Sequence, residues 1–192
     1  MDWWVWLIIA LVVVGLLAVI AFAWQTMRRE RTEQLRGRFG SEYDRTMERT
    51  GDRKEAESEL EGRKKRVELL KLHDIPGPER QRLQNEWEHA QSRFVDEPRE
   101  AIDDAERLVE QAMSARGYPV GDDFDRRYED LSVEYANVLD NYRHARDISY
   151  RRHDGGKTTT EDLRDAMVCY RDLFRELVNS AAPPSIQGRR SA

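Results

Sequence analysis

The feature that most constrains this chain is an uncharged apolar run near its N-terminus. Residues 3–27 contain no charged side chain. As a helix, a run of about 25 residues extends roughly 37 Å at about 1.5 Å per residue. That length exceeds a hydrocarbon core of about 30 Å. Indole rings prefer the edges of a bilayer, and tryptophans lie at both ends of the run: Trp3, Trp4, Trp6 and Trp24. The sequence therefore predicts a transmembrane anchor at residues 1–27.

The residues that follow this run predict the orientation of the anchor. Residues 28–40 form a basic juxtamembrane segment in which arginines outnumber Glu30 and Glu33: Arg28, Arg29, Arg31, Arg36 and Arg38. Before the run, Asp2 is the one charged side chain. Because basic residues stay on the cytoplasmic side of a membrane, we expect the N-terminus outside and the following domain inside. The first three arginines can also contact lipid headgroups.

A cleaved signal peptide is the main alternative to a retained anchor. Such a peptide needs a basic segment before its apolar core and a small-residue cleavage site. Met1 and Asp2 supply no basic residue, and the one A-x-A candidate, residues 21–23, lies inside the apolar run. We therefore expect the run to be retained.

Composition limits the remaining function classes. The chain has 192 residues, and all 32 basic and 36 of the 37 acidic residues lie beyond the apolar run. This slightly acidic balance gives no electrostatic reason to bind nucleic acid. Cys169 is the only cysteine, so a disulfide framework is excluded.

Residues 41–180 are predicted to form an all-α domain. Glycine and proline separate helical segments, and no alternating strand pattern occurs. Helices are expected at residues 41–50, from 52 to about 73, from 98 to a stop at 117, from 132 to about 153 and from about 160 onward, with a short helix or turn at 122–131. A further helix carries an apolar stripe from Leu83 to Phe94 and ends at residues 97–98. Four of them carry clear apolar stripes, which predicts an antiparallel bundle of about four main helices plus short ones. Residues 181–192 have little apolar content, and we expect a disordered tail.

Several residues carry helix-capping signals. Asp52, Ser132 and either Thr158 or Thr159 are expected to begin helices, because short polar side chains accept hydrogen bonds from the first turn. Gly117 is expected to end one, since glycine readily adopts the left-handed conformation found after helices.

Three motifs resemble chemical sites but are incomplete. Residues 155–158 (GGKT) match the end of a phosphate-binding loop, but Arg151 replaces its first glycine and a predicted helix precedes it. Glu86 and His89 have the E-x-x-H spacing of di-iron bundles, without the second pair that such a site needs. Cys169 has no neighbour that would activate a thiolate. We predict no catalytic residue, cofactor or metal.

Two basic tracts remain. One is residues 63–66 (RKKR), which glutamates surround, and the other lies between residues 143 and 152. Pairing with carboxylates of the same chain, or simple solvation, explains both tracts more simply than a ligand does.

Five segments resemble a family of uncharacterised bacterial membrane proteins with one N-terminal span. They are residues 38–44 (RFGSEYD), 93–98 (RFVDEP), 116–120 (RGYPV), 130–133 (DLSV) and 160–164 (TEDLR). No activity is assigned to that family. The resemblance implies a bacterial membrane protein and implies nothing catalytic. From the distribution of arginines we expect the inner membrane.

The aromatic residues in these segments admit two interpretations. Phe39, Tyr43 and Tyr118 stand at expected corners between helices. They either pack into those corners or form an interaction surface for a partner.

The sequence thus favours a membrane-tethered helical interaction or scaffold module at the cytoplasmic face, without catalysis. The expected partners are the lipid bilayer and a protein, with self-association as a further possibility. One alternative is a secreted or extracytoplasmic helical domain of the cell envelope. The other is an enzyme or ligand receptor whose site lies inside the bundle.

Overall fold

The computed structural model describes residues 3–119, 121 and 123–181, with only some of the side chains between residues 3 and 29. Within these residues the chain is helical and contains no strand, which confirms the predicted all-α class. The helices are α1 Trp3–Phe39, α2 Ser41–Thr50, α3 Arg53–Leu69, α4 Gly77–Arg93, α5 Pro98–Arg116, α6 Phe124–Leu131, α7 Ala136–His153 and α8 Thr160–Asn179.

Four of these helices form the predicted bundle. Helix α4 packs against α5, α5 against α8, and α8 against α7. Each carries apolar side chains at spacings of three or four residues, which places them on one face of a helix. The buried side chains include Leu83, Trp87, Ile102, Leu108, Val109, Leu139, Tyr142, Leu163, Tyr170, Leu173 and Phe174. The rings of Trp87 and Phe174 stack with their centroids 4.6 Å apart, which joins α4 to α8.

Local capping interactions set the ends of several helices. The Asp52 carboxylate accepts a hydrogen bond from the backbone N–H of Glu55, at 2.9 Å. Thr159 and Asp162 form a complete capping box at the start of α8. Gly117 ends α5 with a φ of 93°, and a Cβ there would lie 2.8 Å from the backbone oxygen of Lys71. These positions confirm three of the predicted helix signals.

The predicted start of α7 is wrong. Ser132 does not cap α7: it ends α6, and its hydroxyl donates to the backbone oxygen of Glu129 at 2.6 Å. Helix α7 begins only at Ala136, after a turn in which Val133 and Tyr135 are buried. The serine therefore satisfies a carbonyl of the preceding helix, which is the other role of a short hydroxyl side chain near a helix end.

The remaining helices pack beside the bundle. We call α2, α3, α6 and residues 30–39 of α1 the polar region. Helix α3 contacts α1, α2 and α6, while α2 and α6 also contact α7 of the bundle. Phe39, Tyr43 and Leu60 are buried here, together with the charged side chains of Glu42 and Arg63.

The predicted transmembrane helix is contradicted. Across the part of the chain that the structure describes, no helix is both long and apolar enough to cross a membrane. The apolar run does not form a separate helix, because α1 continues past Met27 through a charged segment to Phe39. The far end of α1 packs into the polar region, where Leu35 and Phe39 are buried. The predicted disordered tail lies outside the described residues from position 182 onward.

Candidate functional site

The most densely charged part of the interior begins with Arg63. On α3, the residues Ala56, Leu60, Arg63 and Val67 follow one another at spacings of four, three and four, and all four are buried. Arg63 therefore occupies a position on the apolar stripe of α3. The helical period brings its guanidinium group into the space between α3 and α2.

Arg63 is held there by carboxylates from three helices. One terminal nitrogen donates to Glu42 of α2 at 3.0 Å, and the other donates to Glu59 of α3 at 2.7 Å. Glu129 of α6 lies 3.6 Å from the second nitrogen. The side chains of Arg63 and Glu42 are only 4% and 7% exposed, so this is a buried ion pair. Such a pair fixes the relative positions of the helices that carry it.

The other face of Glu42 is also occupied. One nitrogen of Arg45 lies 3.1 Å from Glu42, 3.0 Å from the hydroxyl of Tyr128 and 2.9 Å from Asp140. The Tyr128 hydroxyl also donates to Glu42 at 3.2 Å. We call Glu42, Arg45, Arg63, Tyr128 and Asp140 the charged cluster.

The titration behaviour of the cluster favours fixed charges over proton transfer. Burial, followed by the neighbouring Glu42 carboxylate, raises the pKa of Tyr128 to about 12. Burial raises the pKa of Asp140, but hydrogen bonds from Ser41 and Arg45 outweigh it and hold that pKa below its usual value. The phenol therefore stays protonated and the carboxylate ionised near pH 7. Neither group is poised as a general acid or base, which needs a pKa near the working pH.

A cleft of about 330 Å³ opens beside the cluster. Its walls come from α2, α3, α6 and α7, and its charged lining includes Arg45, Arg49, Arg63, Arg143, Glu42, Glu129 and Asp125. The arginines on this wall have partners: Arg49 pairs with Glu59, and the Arg143 guanidinium lies 4.1 Å from the centre of the Tyr128 ring. The cluster is therefore self-paired, and its chemistry suits holding α2, α3, α6 and α7 together.

Two further buried arginines bind backbone carbonyls. Arg116 of α5 donates to the Leu177 carbonyl at 2.7 Å and also to that of Ser180, both at the end of α8. Arg127 donates to the Gly121 carbonyl and pairs with Glu110. Carbonyls at a helix end lack partners within the helix, so Arg116 satisfies the last turn of α8.

A second charged cleft, of about 530 Å³, lies between α1 and α3. We call it the basic cleft; it is lined by Arg31, Gln34, Leu35, Arg38, Glu61, Lys64, Lys65 and Glu68. Arg31 pairs with Glu61, and the Lys64 ammonium lies 3.9 Å from Glu68. Lys65 is exposed and has no carboxylate partner among the described residues. Unlike the charged cluster, this cleft carries more cations than anions.

The predicted membrane-interface residues all belong to α1. The side chains of Trp3, Trp6, Arg28 and Arg29 lie outside the described residues. Trp4 and Trp24 are exposed, as are Leu11, Leu16, Val19 and Phe22, with exposed fractions between 57% and 70%. Arg31 is exposed and pairs with Glu61.

The predicted corner aromatics lie in the interior. Phe39, Tyr43 and Tyr118 are 0%, 1% and 3% exposed. The Tyr43 hydroxyl donates to Glu57 at 3.2 Å, and the Tyr118 ring lies 6.3 Å from that of Tyr135. Burial raises the pKa of Tyr118. All three side chains are therefore buried.

The incomplete motifs have ordinary structural surroundings. Residues 155–158 connect α7 to α8, and Gly155 there has a φ of 75°. Glu86 pairs with Arg82 of its own helix, and His89 is exposed. Among the described residues, no group of three or more histidine, cysteine, aspartate or glutamate side chains is arranged to hold a metal ion. Cys169 is half-buried, and burial raises the pKa of its thiol.

Sequence reasoning missed the charged cluster because it treated residues 63–66 as one basic tract. The available signal was the spacing of Arg63 from Leu60 and Val67, which places it on the buried stripe. Glu59 is a local partner of Arg63, four residues away, but Glu42 and Glu129 lie 21 and 66 residues away in the chain, and no local pattern joins them to Arg63.

Taken together, the fold and its charged clefts define an all-helical bundle protein with a long, partly apolar N-terminal helix. Comparison with known proteins adds no family to this description: the chain matches no protein-family model, no curated protein and no solved structure.

Proposed function

We propose that the protein is a non-enzymatic helical interaction module that attaches to a lipid membrane through the apolar part of α1. One observation carries this proposal: every large apolar side chain described between Trp4 and Trp24 is exposed. An exposed apolar surface is typical of an interface with lipid or with another protein.

The distribution of these side chains favours lipid as the occupant. At about 100° per residue, Leu16 lies roughly 140° around the helix from Leu11, and Trp24 lies roughly 80° farther in the same direction. A helix that is apolar on several sides must be covered on several sides. Lipid does this without a shaped partner. The tryptophans at both ends of the uncharged run and the arginines after it support the same occupant.

The arginine-rich segment favours the cytoplasmic face of a bacterial membrane. Residues 28–38 contain five arginines and two glutamates. The cytoplasmic leaflet carries anionic lipids, whose surface potential attracts basic segments next to a membrane-bound helix. The bundle is then held at that face, where it can meet a protein partner or a second copy of the chain.

The self-paired cluster supports a structural role for the interior charges. The enzyme or receptor alternative would place a substrate against Arg63 or Tyr128, yet Arg63 already binds carboxylates on two helices. A ligand would have to displace these pairs. We therefore propose interaction, and not catalysis, as the work of the bundle.

Vesicle flotation of the full chain tests the attachment. We expect the wild type to float with phosphatidylcholine vesicles, and the Leu11→Arg/Val19→Arg variant to remain in the aqueous fraction. The reason is that arginine is strongly disfavoured in hydrocarbon. A matched control places the same charges at Leu69, at the end of α3, and at Val95, in the turn between α4 and α5, which are 82% and 83% exposed.

The Leu69→Arg/Val95→Arg control is expected to float like the wild type. Flotation of the Leu11→Arg/Val19→Arg variant at wild-type levels would overturn attachment through α1. Loss of flotation in the control alone would place the lipid contact on other helices. If the wild-type chain forms oligomers without lipid and does not bind vesicles, the apolar part of α1 contacts a second copy of the chain and not lipid.

The side of the membrane is tested through Cys169, the only cysteine. An impermeant maleimide should leave intact spheroplasts unlabelled and should label the thiol after permeabilisation and denaturation. Denaturation is needed because the thiol is half-buried. Protease protection of the bundle in intact spheroplasts should agree. Labelling or proteolysis in intact spheroplasts would favour the extracytoplasmic alternative.

A further inference from the structure

We propose that the basic cleft binds the phosphate group of an anionic lipid headgroup. This proposal rests on the membrane attachment proposed above and names the lipid chemistry that the attached protein prefers. The cleft lies between α1 and α3 and is lined by four cationic and two anionic side chains.

The position of the cleft suits a headgroup. Arg31 lies four residues past Met27, the end of the uncharged run, and therefore about 6 Å farther along the helix axis. The cleft therefore lies next to the apolar part of α1, within reach of the headgroup of a lipid that contacts that part.

The cations of the cleft are unequally satisfied. Arg31 is paired with Glu61, and Lys64 has only a distant partner, Glu68 at 3.9 Å. Arg38 is directed to the turn between α6 and α7, where it donates to the Val133 carbonyl at 3.1 Å and pairs with Glu134. These pairs leave Lys65 as the cation available to an added anion.

The floor and rim of the cleft suit an ester of phosphate. Leu35 is buried at the floor, while the exposed amide of Gln34 supplies a hydrogen-bond donor on the α1 side. A lysine ammonium binds phosphate as a point charge. A phosphate in contact with Lys65 and with the amide would neutralise part of the positive charge that the two glutamates leave uncompensated. Glu30 and Glu33 are exposed on α1 but do not line the cleft.

The charged cluster differs from the basic cleft in how its cations are paired. There, each arginine around Glu42 has a carboxylate or an aromatic ring against it. An added anion would compete with carboxylates already in place. In the basic cleft it would add a partner to Lys65 without removing one.

The experiment measures binding of the full chain to vesicles of phosphatidylcholine alone and of phosphatidylcholine mixed with phosphatidylglycerol. We expect tighter wild-type binding to the mixed vesicles, with the difference shrinking as salt is added. Lys65→Ala should weaken binding to the mixed vesicles about fivefold, the equivalent of about 1 kcal/mol for one lysine near an anionic surface. Binding to phosphatidylcholine alone should not change.

Lys54→Ala is the matched control, since Lys54 is an exposed lysine of the same helix that does not line the cleft. It should bind both vesicles like the wild type. If both variants lose binding to mixed vesicles equally, or the wild type shows no preference for them, the basic cleft is not a phosphate site. Attachment through α1 would still stand. No binding to either vesicle would overturn attachment itself. If inorganic phosphate binds the lipid-free chain and Lys65→Ala abolishes this binding, the ligand of the basic cleft is a soluble phosphate and not a lipid.

Discussion

The bundle and the polar region are held together by different forces. In α4, α5, α7 and α8, the buried residues are almost entirely apolar, and an aromatic stack joins α4 to α8. In the polar region, buried carboxylates and arginines lie among the apolar side chains, with Glu42 and Arg63 at the centre. Hydrophobic burial is non-directional, whereas ion pairs have fixed geometry and respond to pH and salt. The two regions should therefore be destabilised by different perturbations.

The largest expected effect is a cavity in the bundle. Phe174→Ala removes the ring that stacks on Trp87 and should lower the free energy of unfolding by about 3–5 kcal/mol, because the space left cannot refill completely. Urea denaturation in one mild detergent, used for every variant, measures this loss. Val168→Ala is the control on the same helix: Val168 is 39% exposed, and its loss should be below about 1 kcal/mol. Similar losses for both variants would contradict an apolar bundle core.

The next effect is in the polar region. Glu42→Gln removes the charge that faces Arg63 and Arg45 and should lower the free energy of unfolding by about 2 kcal/mol. The Glu42→Gln/Arg63→Met double variant should lose less than the sum of the single losses, since each residue compensates the other. Asp44→Asn is the control on α2. Its pair with Arg36 is exposed, so a loss below about 1 kcal/mol is expected. Additive losses for Glu42 and Arg63 would show that the buried pair is not coupled.

A smaller effect is expected at the start of α8. Thr159→Ala removes the hydroxyl that accepts the backbone N–H of Asp162 and should cost about 1 kcal/mol. Thr160→Ala, at an exposed neighbouring position, should have little effect. Hydrogen exchange should show faster opening confined to the first turn of α8. Faster exchange across α3 or α6 as well would mean that the two regions do not open separately.

The smallest effect is a difference in acid sensitivity. Burial raises the pKa of Glu59, but hydrogen bonds from Arg49 and Arg63 outweigh it and hold that pKa below its usual 4.5. The pKa of Asp140 is likewise held below its usual 3.8. A lowered carboxyl pKa stabilises the fold above the unfolded value, and that stability is lost as pH falls through the folded value.

Acidification below about pH 4.5 should therefore loosen α3, α2 and the start of α7, where Asp140 lies, before the centre of the bundle. Helix α8 should respond only at its first turn, where hydrogen bonds from Thr159 hold the pKa of Asp162 low. Hydrogen exchange corrected for intrinsic pH dependence measures the order. Loss of protection at the centre of α5 and α8 at the same pH as α3 would contradict the difference between the regions.

Local patterns were enough to predict the bundle. The stripe of Leu83, Trp87 and Ala90 predicted the buried face of α4, and the box of Thr159 with Asp162 predicted the start of α8. Both are interactions between residues three or four apart, which a single sequence displays directly. Gly117 belongs to the same class, because its left-handed backbone follows from its position after a helix.

Features that depend on distant residues were not predictable in this way. The burial of Arg63 requires Glu42 and Glu129, which belong to other helices, to arrive at the same place. Ser132 has the residue type of an N-cap, but the carbonyl it binds belongs to the preceding helix. The transmembrane prediction treated residues 3–27 as an independent helix, whereas α1 continues to Phe39. A local pattern cannot show where a helix stops when tertiary contacts hold its last turn.

Hydrogen exchange of the full chain on vesicles tests the central claim most directly, namely that α1 and the basic cleft meet the lipid while the bundle does not. Adding phosphatidylcholine–phosphatidylglycerol vesicles should slow exchange in residues 30–38 and 61–68, which line or flank the cleft. Exchange in α5 and α8 should not change. Slower exchange in α5 or α8, with no change at the cleft, would contradict the account.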